Sequence, residues 1–274
     1  MTTQPKGITV LLPARRPNPR MLLSALRSTF AALSREDKLF LLSDPRDPQV
    51  SQAISPLFGD RLRLIPVDED MPLAAKLNVG LEQVETQFVA RMDSDDICLP
   101  WRFKRQLYLA ERFDSVVLST AVIFGKDLRP LPILPQLPIS LKPEEFVEAL
   151  FFGNPGIHPT LLLKTDSLRT VHGYRSVPGE DLDLWLRLAI AKIPILRDGM
   201  PSILYRYSKH SMSHGLENDL GDAAETSANQ IRGALPAFGP VEPEKLESVR
   251  SQLLKQRKVS WKTRAMLLSL GLNK

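Results

Sequence analysis

Short apolar, β-rich runs alternate with amphipathic stretches along the first half of the chain, and this rhythm narrows the possible folds more than any other feature. The expected strands are Ile8–Leu12, Leu39–Leu42, Leu62–Val67, Gln87–Met92 and Val116–Phe124. Between them, segments near Pro19–Leu33, Asp47–Leu57, Pro72–Glu85 and Pro100–Phe113 read as helices. Pro72 sits just after Asp70, as suits the first turn of a helix, where a missing N–H costs nothing. Strands joined through helices build a mainly parallel central sheet flanked by helices, an α/β architecture. Such sheets bind ligands beyond the carboxyl ends of their strands, where loops converge.

The second half is punctuated differently. Pro130, Pro132, Pro135, Pro138 and Pro143 crowd the stretch RPLPILPQLPISLKP, which excludes regular helix and central strand. It reads as a loop crossing the face of the domain, with a PxxP docking ligand as the other use of such a run. A short helix around Glu144–Phe151, a strand at Thr160–Leu163 and a helix from near Asp181 follow. This divides the chain into a domain over 1–215 and a helical appendage over 216–274. The domain itself falls into a first part at about 1–125 and a second at about 143–215.

At 274 residues, 43% hydrophobic and 24% charged, the chain can bury a sizeable core. The start, MTTQPKGITV, lacks a basic-then-apolar leader, and no apolar run reaches about 18 residues, so a cytoplasmic protein is expected. Cys98 stands alone, which excludes an intrachain disulfide and a cysteine-based zinc site; a small buried hydrophobe is its expected role. The net charge of +5 is unevenly placed: residues 248–274 hold seven Lys or Arg and no acid. With Leu254, Trp261, Ala265, Leu268 and Leu272 at helical spacing, this segment reads as a basic amphipathic helix. Such a helix suits peripheral contact with the inner face of an anionic membrane, and equally a place on the protein's own surface with its basic face in water. No aromatic-interleaved basic patch or nucleic-acid module supports a nucleic-acid partner.

Chemistry concentrates in ARMDSDDICLP, where Asp93, Asp95 and Asp96 put three carboxylates within four positions after the apolar run Phe88-Val89-Ala90. So much charge at a strand end must be met by water, basic side chains or a cation. Short aspartate side chains are hard oxygen ligands suited to Mg²⁺ or Mn²⁺, with coordination sites left over for substrate phosphates. A capped turn, with Asp95 or Asp96 at the start of the helix that Pro100 introduces, accounts for the spacing as well. A second acidic segment, GEDLDLWLR, carries Glu180, Asp181 and Asp183 at a helix entrance, where partial positive charge favours acids. Leu182, Trp185, Leu186 and Ala189 form its expected buried stripe. A carboxylate held there beside a cleft also suits a general base acting on a hydroxyl.

Four ordered blocks go further. ITVLLPA, LNVGLEQVETQFVARMDSDDICLPWRFKRQ, NPGIHPTLLLKTDSLRTVHGYRSVPGEDLDLWLRLA and YRYSKHSMSH together resemble, over roughly residues 7–214, the family 2 glycosyltransferases of the GT-A nucleotide-diphospho-sugar transferase fold, especially bacterial enzymes that build surface polysaccharides. The resemblance implies a nucleotide-diphospho-sugar donor, a UDP-sugar by default, with a saccharide or lipid-linked acceptor and Mn²⁺ or Mg²⁺ as cofactor. It places Pro13 at the nucleotide site, Asp93 near the donor ribose and Asp95 on the metal, with Asp96 supporting that loop. Asp181 would be the base that takes the acceptor proton, and Glu180 its neighbour and substitute. Asp44 falls where the family reads the nucleobase, although Pro45-Arg46 replaces the usual Gly-Ser and the turn is shorter. Arg15 would face a phosphate or stand exposed in solvent. Lys76 and Asn78 would face the donor or lie on a helix surface. His158 would contact substrate on the acceptor side or be a buried hydrogen-bonded histidine, and His210 and His214 would be further metal ligands or ordinary loop residues.

The reaction so implied is an inverting, metal-dependent transfer of a sugar to an acceptor hydroxyl. Two rivals remain at this level. A sugar nucleotidyltransferase shares the sheet and a metal-binding aspartate, yet Pro13-Ala14-Arg15-Arg16-Pro17 is not the Gly-rich phosphate loop expected there. A GT-A protein that binds without catalysing is the other, favoured by the altered Asp44 turn and opposed by the presence of Asp95 and Asp181.

Overall fold

The structure is a computed structural model, and it describes residues 5–53, 56–124, 140–151, 154–206, 229–234 and 236–238. Eight strands form one sheet: β1 (Ile8–Pro13), β2 (Lys38–Ser43), β3 (Leu62–Pro66), β4 (Phe88–Arg91), β5 (Ile97–Cys98), β6 (Val116–Phe124), β7 (Leu162–Lys164) and β8 (Ile195–Arg206), in the spatial order β3-β2-β1-β4-β7-β6-β8-β5. The helices are α1 (Pro19–Ala32), α2 (Pro48–Ala53), α3 (Leu73–Glu82), α4 (Arg102–Phe113), α5 (Pro143–Leu150), α6 (Thr165–Thr170) and α7 (Glu180–Ile190), with 3₁₀ turns at Pro56–Arg61 and His158–Thr160.

The expected βαβα half is parallel throughout, β1 pairing with β2 and β4, and β2 with β3. The other half is mixed. β7 runs antiparallel to β4 and to β6, β6 is parallel to β8, and β5 is antiparallel to β8. β8, β5 and α6 are elements that apolar patterning does not announce. In β8 the segment Arg197–Pro201 breaks the alternation, and the β6–β8 register shifts there.

Strand alternation sorts the core into two layers. Ile8, Val10 and Leu12 of β1, with Leu39 and Leu41 of β2 and Phe88 and Ala90 of β4, pack with α1 and α4 through Leu22, Leu26, Phe103 and Ala110. Leu11, Phe40, Leu42 and Val89 turn to the other face, against Leu77 and Leu81 of α3, Phe146 of α5 and Leu182, Trp185 and Leu186 of α7. Each fully buried side chain of this size contributes about 1.5–3 kcal/mol. Cys98 is buried in the first layer, as its composition-based reading expects.

Register also lines up the strand ends. The backbone N–H of Ala14 donates to Leu42 O, that of Val67 to Ser43 O, and that of Met92 to Leu11 O. The loops after β1, β2, β3 and β4 therefore leave the sheet along one edge. Of the expected appendage over 216–274, the described residues 229–234 and 236–238 are helical. Ile231, Ala234 and Phe238 pack on the α7 layer, and Gln230 Nε2 donates to Pro178 O at 2.6 Å. The proline-rich segment over 125–139, His210, His214 and the basic segment over 248–274 lie outside the described residues.

Candidate active site

Position 91 decides how the site is joined. Residues 89, 91 and 93 point to the α3/α7 face by strand periodicity, so an arginine at 91 buries a charge inside that layer. Arg91 is 5% exposed. Its Nη2 lies 2.6 Å from Asp93 Oδ1 and its Nη1 donates to Asp93 Oδ2 at 3.0 Å, a two-point pair across one strand repeat. Burial opposes the guanidinium charge, but Asp93, Tyr174, Glu180 and Asp96 outweigh it and raise its pKa above the usual value. Tyr174 is raised too, by burial first, and it feels Arg91, Glu180 and Asp181 together. The acids after β4 and those opening α7 thus share one neighbourhood.

The acidic turn is pinned from behind by two arginines. Arg206, at the end of β8, donates its backbone N–H to Asp96 Oδ1 at 2.7 Å and its Nε to Asp95 O at 2.9 Å. Arg102, fully buried on α4, donates Nη2 to Arg91 O at 2.7 Å and Nε to Gln106 Oε1 at 3.2 Å. The helix-capping role is not what the acids do: α4 begins at Trp101 with no side-chain cap. Burial pushes Asp95 above the ordinary carboxylate value, and the charge of Asp93 adds to this. Asp96 is pushed further, by burial and then by Asp93, and its buried Oδ2 has no hydrogen-bond partner. An all-oxygen set with an orphaned buried oxygen on Asp96 would suit a hard divalent cation. No complete group of three ligands gathers among the described residues. Asp95 would hold the cation with Asp93 beside it, leaving further positions open.

At the second acidic segment, α7 starts where Gly179 takes the left-handed conformation (φ 69°) that lets the chain turn into the helix. Asp183, one turn in, is paired with Arg187 at 2.7 Å; Arg187 Nη1 donates to Val171 O and Gly173 O and so fastens the turn after α6. Glu180 and Asp181, both half-buried, take partners from other elements. His158 Nδ1 lies 3.5 Å from Glu180 Oε1, and its Nε2 is 3.4 Å from the Tyr174 hydroxyl. Burial pushes the Glu180 carboxyl up, but His158, its own backbone N–H and Arg91 together hold it below its usual value. His158 is therefore a buried, hydrogen-bonded histidine touching a site carboxylate. Asp181 accepts from Asn154 Nδ2 at 2.6 Å and from Leu182 N at 2.8 Å.

The remaining expected residues lie along the strand ends with varied partners. Pro13 closes β1. Arg15 pairs with Asp70 at 3.0 Å and Arg16, in a left-handed conformation (φ 42°), pairs with Glu69. Lys76 is buried and donates Nζ to Glu69 O at 2.7 Å; burial lowers its pKa, and Arg15 acts in the same direction. Asp44 accepts Arg46 Nη2 at 2.6 Å, Arg46 Nε at 2.9 Å and Arg46 N at 2.8 Å, so its own turn satisfies it. Asn78 has another partner than a donor ligand: its Nδ2 donates to Tyr174 O and its Oδ1 accepts from Tyr174 N, both at 2.8 Å. Sequence reasoning passed over Arg91, Asn154 and Arg206. An arginine inside an apolar strand, directly before the acids, was the available signal for the first.

A family model described as Glycosyl transferase family 2 matches residues 9–156. The chain is 29% identical over 191 residues to the amylovoran biosynthesis glycosyltransferase AmsE of Erwinia amylovora, an alignment covering 69% of this chain and 70% of that one. It is 30% identical over 178 residues to the putative glycosyltransferase EpsE of Bacillus subtilis, covering 61% and 62%. The crystal structure of S. aureus TarS 1-349 in complex with UDP-GlcNAc superposes with a TM-score of 0.64 at 15% identity, covering 91% of this chain and 72% of that one, which establishes a shared GT-A-like fold. Matched over more than half its length, the chain belongs to glycosyl transferase family 2.

Proposed function

We propose that this glycosyltransferase moves a sugar from a nucleotide-diphosphate donor to an acceptor hydroxyl with inversion, in the synthesis of a bacterial cell-surface polysaccharide or glycolipid. The observation that carries the reading is Arg91, bonded to Asp93 on the donor side and in the field of Glu180 on the acceptor side. The relative named for amylovoran biosynthesis supports the product class, and the UDP-GlcNAc complex of TarS supports a UDP-linked donor.

In this reading the donor lies along the ends of β1 to β4, with Asp93 toward its ribose and Lys76 and Arg15 supplying positive charge near the phosphates. A divalent cation held by Asp95 would offset the charge that collects on the departing diphosphate. Asp181, at the mouth of α7, takes the proton of the acceptor hydroxyl as that oxygen attacks the anomeric carbon from the face opposite the leaving group. Glu180, kept ionised by His158, orients the acceptor and balances Arg91. A lipid-linked acceptor would suit membrane contact through residues 248–274; no helix among the described residues is long and apolar enough to cross a membrane.

The test is release of UDP from a panel of UDP-sugars with Mn²⁺ and a glycoside acceptor. Asp181→Asn is expected to lower turnover by about 10²–10⁴-fold, the range of a general base, while nucleotide binding stays at the wild-type level. Near-normal transfer by that variant would remove Asp181 from its role.

A further inference from the structure

Asn154 is bonded at both ends of its amide. Its Oδ1 accepts from Gly156 N at 3.0 Å and from Trp185 Nε1 at 3.2 Å, and its Nδ2 donates to Asp181 Oδ2 at 2.6 Å. An asparagine amide can be turned end for end with little change of shape, so its direction has to be argued from its partners. Here two of them decide. A backbone N–H and an indole N–H can only donate, and both therefore require the amide oxygen. The amide nitrogen is left facing a carboxylate, which accepts.

The partners themselves are held firmly. Trp185 is fully buried in the α7 layer, with its ring edge-on to His158. Gly156 approaches so closely that a Cβ there would stand 2.9 Å from Trp185 Nε1. The second Asp181 oxygen accepts from Leu182 N at 2.8 Å. With one bond on each oxygen, the carboxylate plane is set, and its remaining lone pairs have a defined direction.

We propose that Asn154 is a positioning residue for the transfer reaction, acting through Asp181 by fixing the direction from which that carboxylate meets the acceptor hydroxyl. This rests on Asp181 being the base. A carboxylate free to rotate is out of line for much of the time, and displacement of a reacting group by about 1 Å costs on the order of 10²-fold in rate. The indole of Trp185 contributes at one remove, because it keeps the Asn154 oxygen turned away from Asp181.

Asn154→Asp separates aiming from mere support. It preserves shape and the oxygen that Gly156 and Trp185 need, and it puts a second carboxylate where the donor faced Asp181. The kcat is therefore read on the plateau above the acid limb of the pH profile: a shared proton only moves that limb upward, whereas lost aiming lowers the plateau. The expected result, with the UDP-sugar that the wild-type turns over, is a folded protein with unchanged donor affinity and kcat reduced about 10²-fold. Wild-type kcat in that variant overturns the proposal. Should Asn154→Asp not fold, Asn154→Ala is read by the same split: a loss confined to kcat supports aiming, whereas equal losses in donor affinity and kcat overturn it. Independently of turnover, the side-chain amide signals of Asn154 in ¹⁵N spectra should move in Asp181→Ala; unmoved signals overturn the contact. Absence of UDP release by the wild type would sink the function itself; retained transfer in Asp181→Asn would remove only Asp181 as the base, and this positioning role with it. Lost transfer there, together with retained transfer in Asn154→Asp, would sink the positioning role alone.

Discussion

Arg91 occupies a position where strand alternation calls for a valine or leucine, and the cost of burying it is met by its surroundings. Removing one partner of a buried ion pair typically destabilises by about 3–5 kcal/mol, because the other charge is left without compensation. Asp93 is therefore bound twice over, to the strand that carries it and to the arginine two residues before it. Asp44 has the opposite arrangement, a buried carboxylate met by the exposed Arg46 of its own turn. Its carboxyl is held at about 2, first by the hydrogen bonds of the Arg46 guanidinium and then by the Arg46 backbone N–H. Since the folded value is lower than the unfolded one of about 3.9, the pair's contribution is complete above about pH 4 and is lost as pH falls through about 2. Arg46→Gln should raise the NMR titration midpoint of Asp44 toward the ordinary value. A midpoint that did not move would show that the backbone bond alone sets it. The same pair bears on donor recognition, because a ligand that uses the Asp44 carboxylate must compete with Arg46.

Among the elements, the turn between α6 and α7 ties site geometry to fold. Gly173 has φ 68°, and a Cβ built there would stand 2.5 Å from Asn78 Oδ1. Asn78 in turn holds the backbone of Tyr174 at both its N–H and its carbonyl, and Tyr174 lies against His158. Gly173→Ala combines a strained conformation with a steric clash and is expected to cost about 1–3 kcal/mol. Urea denaturation measures this directly, and a change below about 0.5 kcal/mol, the level of a neutral surface substitution, would show that the turn relaxes freely. The variant should also lower turnover more than donor binding, because the displaced tyrosine supports His158 and Glu180 rather than the strand ends.

For the whole molecule, the sheet order brings two distant stretches of chain to one edge. β7 enters between β4 and β6, so the segment that leads into α7 is threaded beside the strand that carries Arg91. A ligand seated across this edge binds only the folded protein. At 100 times its Kd, a nucleotide sugar should stabilise the fold by about 2.7 kcal/mol, a rise of several degrees in Tm. With Asp95 as cation ligand, the rise from a UDP-sugar should need Mn²⁺ and should disappear with a chelator. A full rise in the presence of excess chelator would remove the cation from donor binding.

The sequence by itself determined the parallel half of the sheet and the two acidic segments. Each is a local signal: apolar periodicity for the strands and helices, and clustered charge for Asp93–Asp96 and Glu180–Asp181. It was silent on β8 and β5, whose pairing depends on partners far along the chain and whose residues alternate poorly. Only the tertiary structure decided the work of single side chains. Asn78 lies on the expected helix, yet its amide is taken up by Tyr174 because the α6–α7 turn packs there. Asp44 is satisfied by its own turn, and Arg91 becomes the link between the two acidic segments because β4 lies beside β7. The physical reason is range: propensity and charge spacing act over a few residues, whereas the partner of a buried polar group is chosen by whichever strand or helix the finished sheet sets against it.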